Sequence, residues 1–549
     1  MKRRFLLLIL VISIYCNAQE HTNTMAEKVL ISTHNKERIS YTEDGQLCVN
    51  VGQKDVEKLK SKGFVTYKDF DAKGDAKTDD IISILATHAF ANFYGLAVKA
   101  ENNASYYMGG KSLPVEIRTN TDFGTANFII DDTHVENCSK PVFLVSSSLT
   151  PIKLNGITSL KRNQPKVDFA LNRKSLISVT NSDVIRYIRF GPNQNNGYKQ
   201  TDLFLIDKEG NVDKKSPIVW DFDQITEITA LPVDEDTLTI TGGHFTTIAN
   251  NAKSEYKYYS RGIAIKRSNV VIDRMEHRVI GEGEQGAPYN GFIHISGCIN
   301  VRVQNTILTG RKMYSTIGSA GIPVNMGSYD ILINNALNVS FVNCTQFNDI
   351  NDSRYWGIFA SNYCKNLIYD NCTFSRFDAH MGVFDVTILN STLGHQGINA
   401  IGSGTFTLEN STVYAKQLIN LRTDYGSTWE GEVFIRNCVF VPKNDKDSRI
   451  SLIQGFNSGQ HDFGYECYMP RKISIENLRI DDSHLLKNEY GITIFADFNP
   501  SKTNESYIEK FPYTVTKEIF MKNVSCSSNK KLRISDNAFM FRDVRIINE

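Results

Sequence analysis

The sequence predicts an all-β protein, a parallel β-helix in which one solenoid takes up most of the chain, on three observations. One short phrase recurs through residues 305–523 as VRVQNT, SFVNCT, IYDNCT, TILNST, TLENST, FIRNCV and SIENLR, with FMKNVS a more distant copy. Each copy alternates apolar with other residues, as a strand does, and stops at an asparagine, a turn-former. Those asparagines are Asn305, Asn343, Asn371, Asn390, Asn410, Asn437, Asn477 and Asn523, spaced 38, 28, 19, 20, 27, 40 and 46 residues apart. A unit of about 20 residues with insertions of variable length describes coils whose loops grow on one side. Asparagine suits the corner of such a coil, because its amide bonds to the coils above and below and it tolerates the αL bend.

The elements follow in chain order. Lys2, Arg3 and Arg4 begin the chain, Phe5 to Tyr15 form a short apolar run, and Asn17-Ala18 precede Gln19 as a cleavage site. Residues 1–18 therefore read as an export signal, too short to span a membrane. The mature chain is expected to be periplasmic or extracellular. Cys16 offers lipid attachment as an alternative, with Ser-Ile-Tyr a poor context for it. Residues 19–64 read as an adaptor segment and 65–549 as the β-helix. An amphipathic run, about 79–94, predicts a helix that caps the open apolar end of the first coil. Thr78 or Asp79 is its expected N-cap and Gly95 its stop. Residues 100–260 are expected to supply poorly repeating early coils.

Composition narrows the partners. A hydrophobic content of 41% over 549 residues is ample for a continuous core, and a net charge of +1 with no basic block argues against nucleic acid. No later segment reads as a transmembrane helix. Removing Cys16 from the ten cysteines leaves an odd number, and Cys344, Cys372 and Cys438 each follow a repeat asparagine, as inward-stacking small apolar residues would.

Polar and ionisable residues gather between Tyr355 and Trp429. Nine residues after their repeat asparagines lie Asp352, His380 and Asn399, and five after lie Asn348, Arg376 and His395. Odd offsets share one face of a strand, and adjacent coils lie about 4.8 Å apart. Without an intervening bulge, His380, Arg376, Asp378, His395, Asp352 and Asn399 form one patch. Such a set suits β-elimination on an acidic polysaccharide, which needs a neutralised uronate carboxylate, a base for the C5 proton and an acid for the leaving O4. His380 is the expected base and Tyr425 the acid, or both base and acid in a syn elimination. Arg422, Arg376 or Asn362 would grip the carboxylate, Asp378 would orient His380 or an arginine, and Lys365, placed in the substrate-binding set, is in reserve as base or charge neutraliser. His395 joins the catalytic set, and Asn399 and Trp429 the substrate-binding set, although Trp429 also suits the core. His277 and His461 read as structural. Asp352, Asp378 and Asp424 keep an inverting hydrolase open as an alternative. A non-catalytic glycan-binding surface protein is the other.

The phrase from Asp69 to Asp80, DFDAKGDAKTDD, resembles the opening of the pectate-lyase-like superfamily, which implies a right-handed β-helix behind a capping helix. Lyases, hydrolases and phage tailspikes share that opening. Residues 276–295, 356–366, 374–383 and 421–431 resemble exported β-helical polysaccharide lyases acting on glycosaminoglycans. That resemblance implies a substrate such as chondroitin sulfate, dermatan sulfate or hyaluronan. Relatives of this shape often use Ca²⁺ with a Lys or Arg base. The sequence shows no compact acidic cluster, so a metal-free His/Tyr mechanism is the expectation, with Ca²⁺ possible.

Overall fold

The computed structural model describes residues 30–32, 38–41, 46–443, 449–485 and 491–549. Residues 1–18, read above as an export signal, lie outside the described residues, Cys16 among them. The chain divides into two compact units, Met1–Gln53 and Lys54–Glu549. The first holds a small sheet of Leu30–Ser32, Leu47–Asn50 and Ile39–Tyr41. The second is a right-handed parallel β-helix, in which each coil pairs in parallel with the next.

The register is legible at the residue two before each repeat asparagine. Val303, Phe341, Tyr369, Ile388, Leu408, Ile435 and Ile475 are successive partners across the coils, all buried. Stacking like on like gives the solenoid a continuous apolar wall. At the corner, all eight asparagines adopt the left-handed conformation, with φ between 49° and 54°. Their amides form a ladder, as in Asn371 to Asn343 at 2.9 Å, Asn437 to Asn410 at 3.2 Å and Asn477 to Asn437 at 2.8 Å. The ladder has one irregular rung, where Asn390 donates to Asp370 at 2.9 Å. A second ladder at another corner joins Asn269, Asn300, Asn338 and Asn366, again at positive φ.

The capping helix spans Ile81–Tyr94 and ends at Gly95, whose φ is +69°. Its N-cap position is Asp80, but the expected Asp79 caps it from one residue earlier, its Oδ1 accepting from the Ile81 amide at 3.2 Å. The Asp80 carboxylate accepts from the Lys73 and Gly74 amides at 2.7 and 2.9 Å, so it closes the preceding loop and leaves the helix end alone.

The expectation of early coils over residues 100–260 holds for Val115–Ile117, Thr121–Asp131, Phe143–Ser146 and Leu238–Ile248 and is corrected between the last two. Ile152–Lys153, Ser175–Arg186, Tyr198–Ile206 and Glu227–Pro232 leave the solenoid and form an antiparallel four-stranded sheet. It has its own core around Phe204, Ile218 and Phe222. Leu203 and Leu205 pack it on Ile299 and Leu337 of the coils. A buried ion pair, Lys365 Nζ to Asp202 at 2.7 Å, pins it there. This inserted sheet roofs the wall that carries the polar window.

Asn437→Ala should destabilise the protein by about 1–3 kcal/mol, because it removes two ladder bonds and places a Cβ-bearing residue with no polar group in αL. Asn437→Gly keeps the bend and should recover part of that loss. Equal midpoints for wild type and Asn437→Ala in urea titration would contradict the role given to the ladder.

Candidate active site

Four strands carry the polar window: Phe359–Asn362, Thr373–Leu389, Thr392–Glu409 and Ile419–Leu421. Their pairing departs from the simple count. Phe374 faces Leu393, but Arg376 faces Gly397 and Asp378 faces Asn399, so two extra residues enter the later coil. The bulge lifts His395 and Gln396 out of the ladder. Asn399 therefore aligns with Asp378, not with His380, and continues to Asn420 on the next coil. His395 turns to a separate loop, where its Nε2 meets the Tyr355 carbonyl at 3.1 Å. Asp352 lies in that loop, outside the strands, and pairs with Arg354 at 2.9 Å.

A second irregularity makes the centre of the site. Ser361 pairs with Ala379 and Asn362 with Met381, leaving His380 in the gap between them. Its Nδ1 lies 2.6 Å from Asn362 Oδ1. Asn362 Nδ2 donates to Asn334 Oδ1 at 2.7 Å, and Asn334 Nδ2 meets His294 Nε2 at 3.2 Å. Each amide is oriented by the next, so the Asn362 oxygen faces His380 and the histidine carries its proton on Nδ1. No hydrogen bond to Nε2 is seen among the described residues. Burial, and then the Arg422 charge, hold the His380 pKa well below its usual value. The imidazole is thus neutral, with its Nε2 lone pair unused.

Charges surround it. Asp378 is fully buried, bonded to the Arg376 guanidinium and 3.5 Å from Arg422 Nη1. Arg422 also reaches Asp424 at 2.7 Å, and Arg189, from the loop that follows Ser175–Arg186, reaches the same carboxylate at 2.8 Å. Burial acts to raise the Asp424 pKa, but Arg422 and Arg189 outweigh it and hold the carboxyl below its usual range. Arg376 lies over the Trp356 ring, 5.0 Å from its centroid. The set holds three guanidiniums and two carboxylates, leaving one positive charge in excess.

Several expected roles change. Tyr425 is on the same wall as His380, edge-on to it with ring centroids 5.6 Å apart, but the tyrosine is fully buried. It packs with Tyr187 of the inserted sheet, its ring centre lies 5.4 Å from the Arg189 guanidinium, and burial raises its phenol. It buttresses His380 and does not reach the groove. Lys365 is buried in its ion pair with Asp202, which removes it as a base. Trp429 is a core residue, its indole donating to the Gly404 carbonyl at 3.1 Å. Asn399 is nearly buried and bonded to Gln396 and Asn420. Asn362 orients the histidine. His277 is buried between Thr247 and Asp330, and His461 meets the Ile188 carbonyl at 3.2 Å. Arg189 is missing from the sequence-derived set because it lies 235 residues from Asp424, with no motif to connect them.

The residues do not fit Ca²⁺, which takes six to eight oxygen ligands. Asp378 and Asp424 are the carboxylates here, and arginines already engage both. Their ion pairs also weigh against an inverting hydrolase, which needs one carboxyl protonated and both facing the substrate.

No family model matches the chain. A capsule depolymerase, KL64-specific, from Klebsiella phage P510 is 32% identical over 131 residues, covering 20% of this chain and 12% of that protein. The chain thus spans only a small part of that relative. The tailspike gp61 of Pseudomonas phage phi297 superposes with a TM-score of 0.51 at 14% identity, covering 84% of this chain and 80% of the tailspike. The tailspike gp49 of Pseudomonas phage LKA1 gives 0.49 at 13% identity over 84% and 81% of the two chains. At such identities the gp61 likeness is one of fold. Among the described residues, no helix is long and apolar enough to cross a membrane.

Asp378→Asn removes the charge that holds two guanidiniums, one of them buried, and should destabilise the protein by about 3–5 kcal/mol. Denaturant titration checks this, and a midpoint equal to that of the wild type would contradict the clamp.

Proposed function

We propose that this protein is an exported lyase that cleaves a uronate-containing polysaccharide by β-elimination, with chondroitin sulfate, dermatan sulfate and hyaluronan as first candidates. One observation carries the reading: a neutral histidine of fixed tautomer, its Nε2 free, set beside guanidiniums in excess over carboxylates. The match to a protein named as a capsule depolymerase supports a polysaccharide substrate, and the long walls of the solenoid suit a polymer.

In this mechanism Arg422 and Arg189 pair with the uronate carboxylate and draw charge off C5. His380 Nε2 takes the C5 proton. The freed electron pair forms the C4–C5 double bond as the C4–O4 bond breaks. The imidazolium then returns the proton to O4, a syn course in which one residue is base and acid in turn. Arg376 and Asp378 are positioning residues that hold Arg422, and Asn362 and Asn334 hold the histidine.

Purified protein incubated with these glycans should generate the ultraviolet absorbance of unsaturated uronate ends. New reducing ends without that absorbance would mark a hydrolase and sink the proposal. His380→Ala should lose roughly 10²–10⁴-fold in turnover, while Tyr425→Phe, which keeps the ring, should retain most of it. Arg189→Ala should chiefly raise KM for the charged glycan.

The depressed histidine pKa fixes the direction of the pH response. The base remains unprotonated down to its lowered folded-state pKa, so the acid limb of kcat/KM should fall below the ordinary histidine value of about 6.5. Stability linked to this group is present above that unfolded value and is lost as pH falls from it toward the folded pKa. A limb at or above the ordinary value would show that the base is another group.

A further inference from the structure

A pocket lies on the same wall as His380, beyond the ring of Tyr187. That ring packs against Tyr425 on the side of His380, with centroids 6.2 Å apart, and lines the pocket on the other. The cavity has a volume of about 250 Å³, below the roughly 300–1,000 Å³ of sites for drug-sized ligands, and is of a size for one sugar ring. Three parts of the chain build it. The inserted sheet supplies Arg162, Arg186 and Trp220, the coils supply Glu430, and the segment after Phe463 supplies Glu466 and Tyr468. Its floor includes Gly382, whose φ is +62° and where a Cβ would come within 2.9 Å of the Tyr187 hydroxyl.

Its chemistry differs from that around His380. Arg162, Arg186 and Lys365 meet Asp202, Glu430 and Glu466, three charges against three, so the lining is neutral overall. Lys365 and Asp202 are spent on each other. Glu430 pairs with Arg162 at 2.9 Å, Tyr468 donates to Glu466, and the Arg186 guanidinium lies 4.7 Å from the Trp220 ring centre. The Arg162–Glu430 pair is half exposed, and such bridges open at little cost. Balanced donors and acceptors beside an indole recognise hydroxyl and amide groups on an apolar ring face. They offer no excess charge to an anion.

We propose that this pocket binds an uncharged sugar residue, a hexose or N-acetylhexosamine, of the same glycan whose uronate is held by Arg422 and Arg189. This deepens the proposed function and rests on it: among its candidate glycans the preferred polymer alternates uronate with uncharged residues, as hyaluronan does, and a homopolymer of uronate or a polymer sulfated on every hexosamine is disfavoured.

The test uses full-length His380→Ala, which leaves the pocket intact. Tryptophan fluorescence is titrated with galactose, N-acetylgalactosamine and glucuronic acid. The expected result is saturable quenching by at least one uncharged sugar, with glucuronic acid binding at least tenfold more weakly. Trp220→Phe should remove the signal, and Glu466→Gln should weaken binding roughly tenfold with an unchanged melting profile. Three results would overturn the inference: no saturable change with either uncharged sugar, equal binding of glucuronic acid, or a quench that survives Trp220→Phe. Absence of unsaturated product from the wild type, with the quench intact, would sink the elimination chemistry and leave the pocket standing.

Discussion

Everything in this protein depends on coils that stack in parallel and in register. A strand-to-strand distance of about 4.8 Å turns separations of 28 and 19 residues along the chain into contacts between side chains. The stacking is enforced at two places at once. Inside, an apolar residue lies on its counterpart from coil to coil, from Val303 to Ile475. At the corner, asparagines hold the left-handed bend and bond to one another. The interior term is the larger, since burying each apolar side chain contributes about 1.5–3 kcal/mol against about 1 kcal/mol for an amide bond. The corner term supplies what burial cannot, a penalty for sliding by one coil position.

A perfectly regular wall is a poor place for chemistry, because every outward side chain is flanked and levelled by its neighbours. The site arises where regularity fails. Two inserted residues after Leu393 shift one coil, and the gap between Ala379 and Met381 leaves His380 unpaired in the ladder. The polar ladder of Asn362, Asn334 and His294 then does for the imidazole what the corner ladder does for the backbone. It propagates one orientation from coil to coil, and with it one tautomer.

The fold was legible because its signals are local: alternation, an asparagine at each bend and the phrase before the capping helix. The neighbourhood of His380, Arg376, Asp378 and Arg422 was legible too, since three share one coil and Arg422 lies two coils on. The register was not. A bulge of two residues preserves the alternation of faces, so a count from Asn390 gives the right side of the sheet and the wrong partner for Asn399. Lys365 and Trp429 have suitable chemistry on the right strands. Trp429 turns into the coil core beside Phe406, and Lys365 is buried by the inserted sheet, which offers no repeat to reveal that it has left the solenoid. Arg189 was invisible for the same reason.

That sheet also alters the electrostatics of the wall beneath it. On an open face, water would screen Arg422 and Asp424, and His380 would titrate near its ordinary value. Under the roof, Arg189 joins Arg422 on one carboxylate, and the cost of stripping water from an imidazolium falls on His380. Desolvation alone would leave an inert histidine. In the elimination proposed above, the guanidiniums give it a purpose, because a uronate entering the site would bring the negative charge that an imidazolium needs. On that proposal the substrate raises the basicity of the group that attacks it, which would couple recognition of the carboxylate to removal of the neighbouring proton.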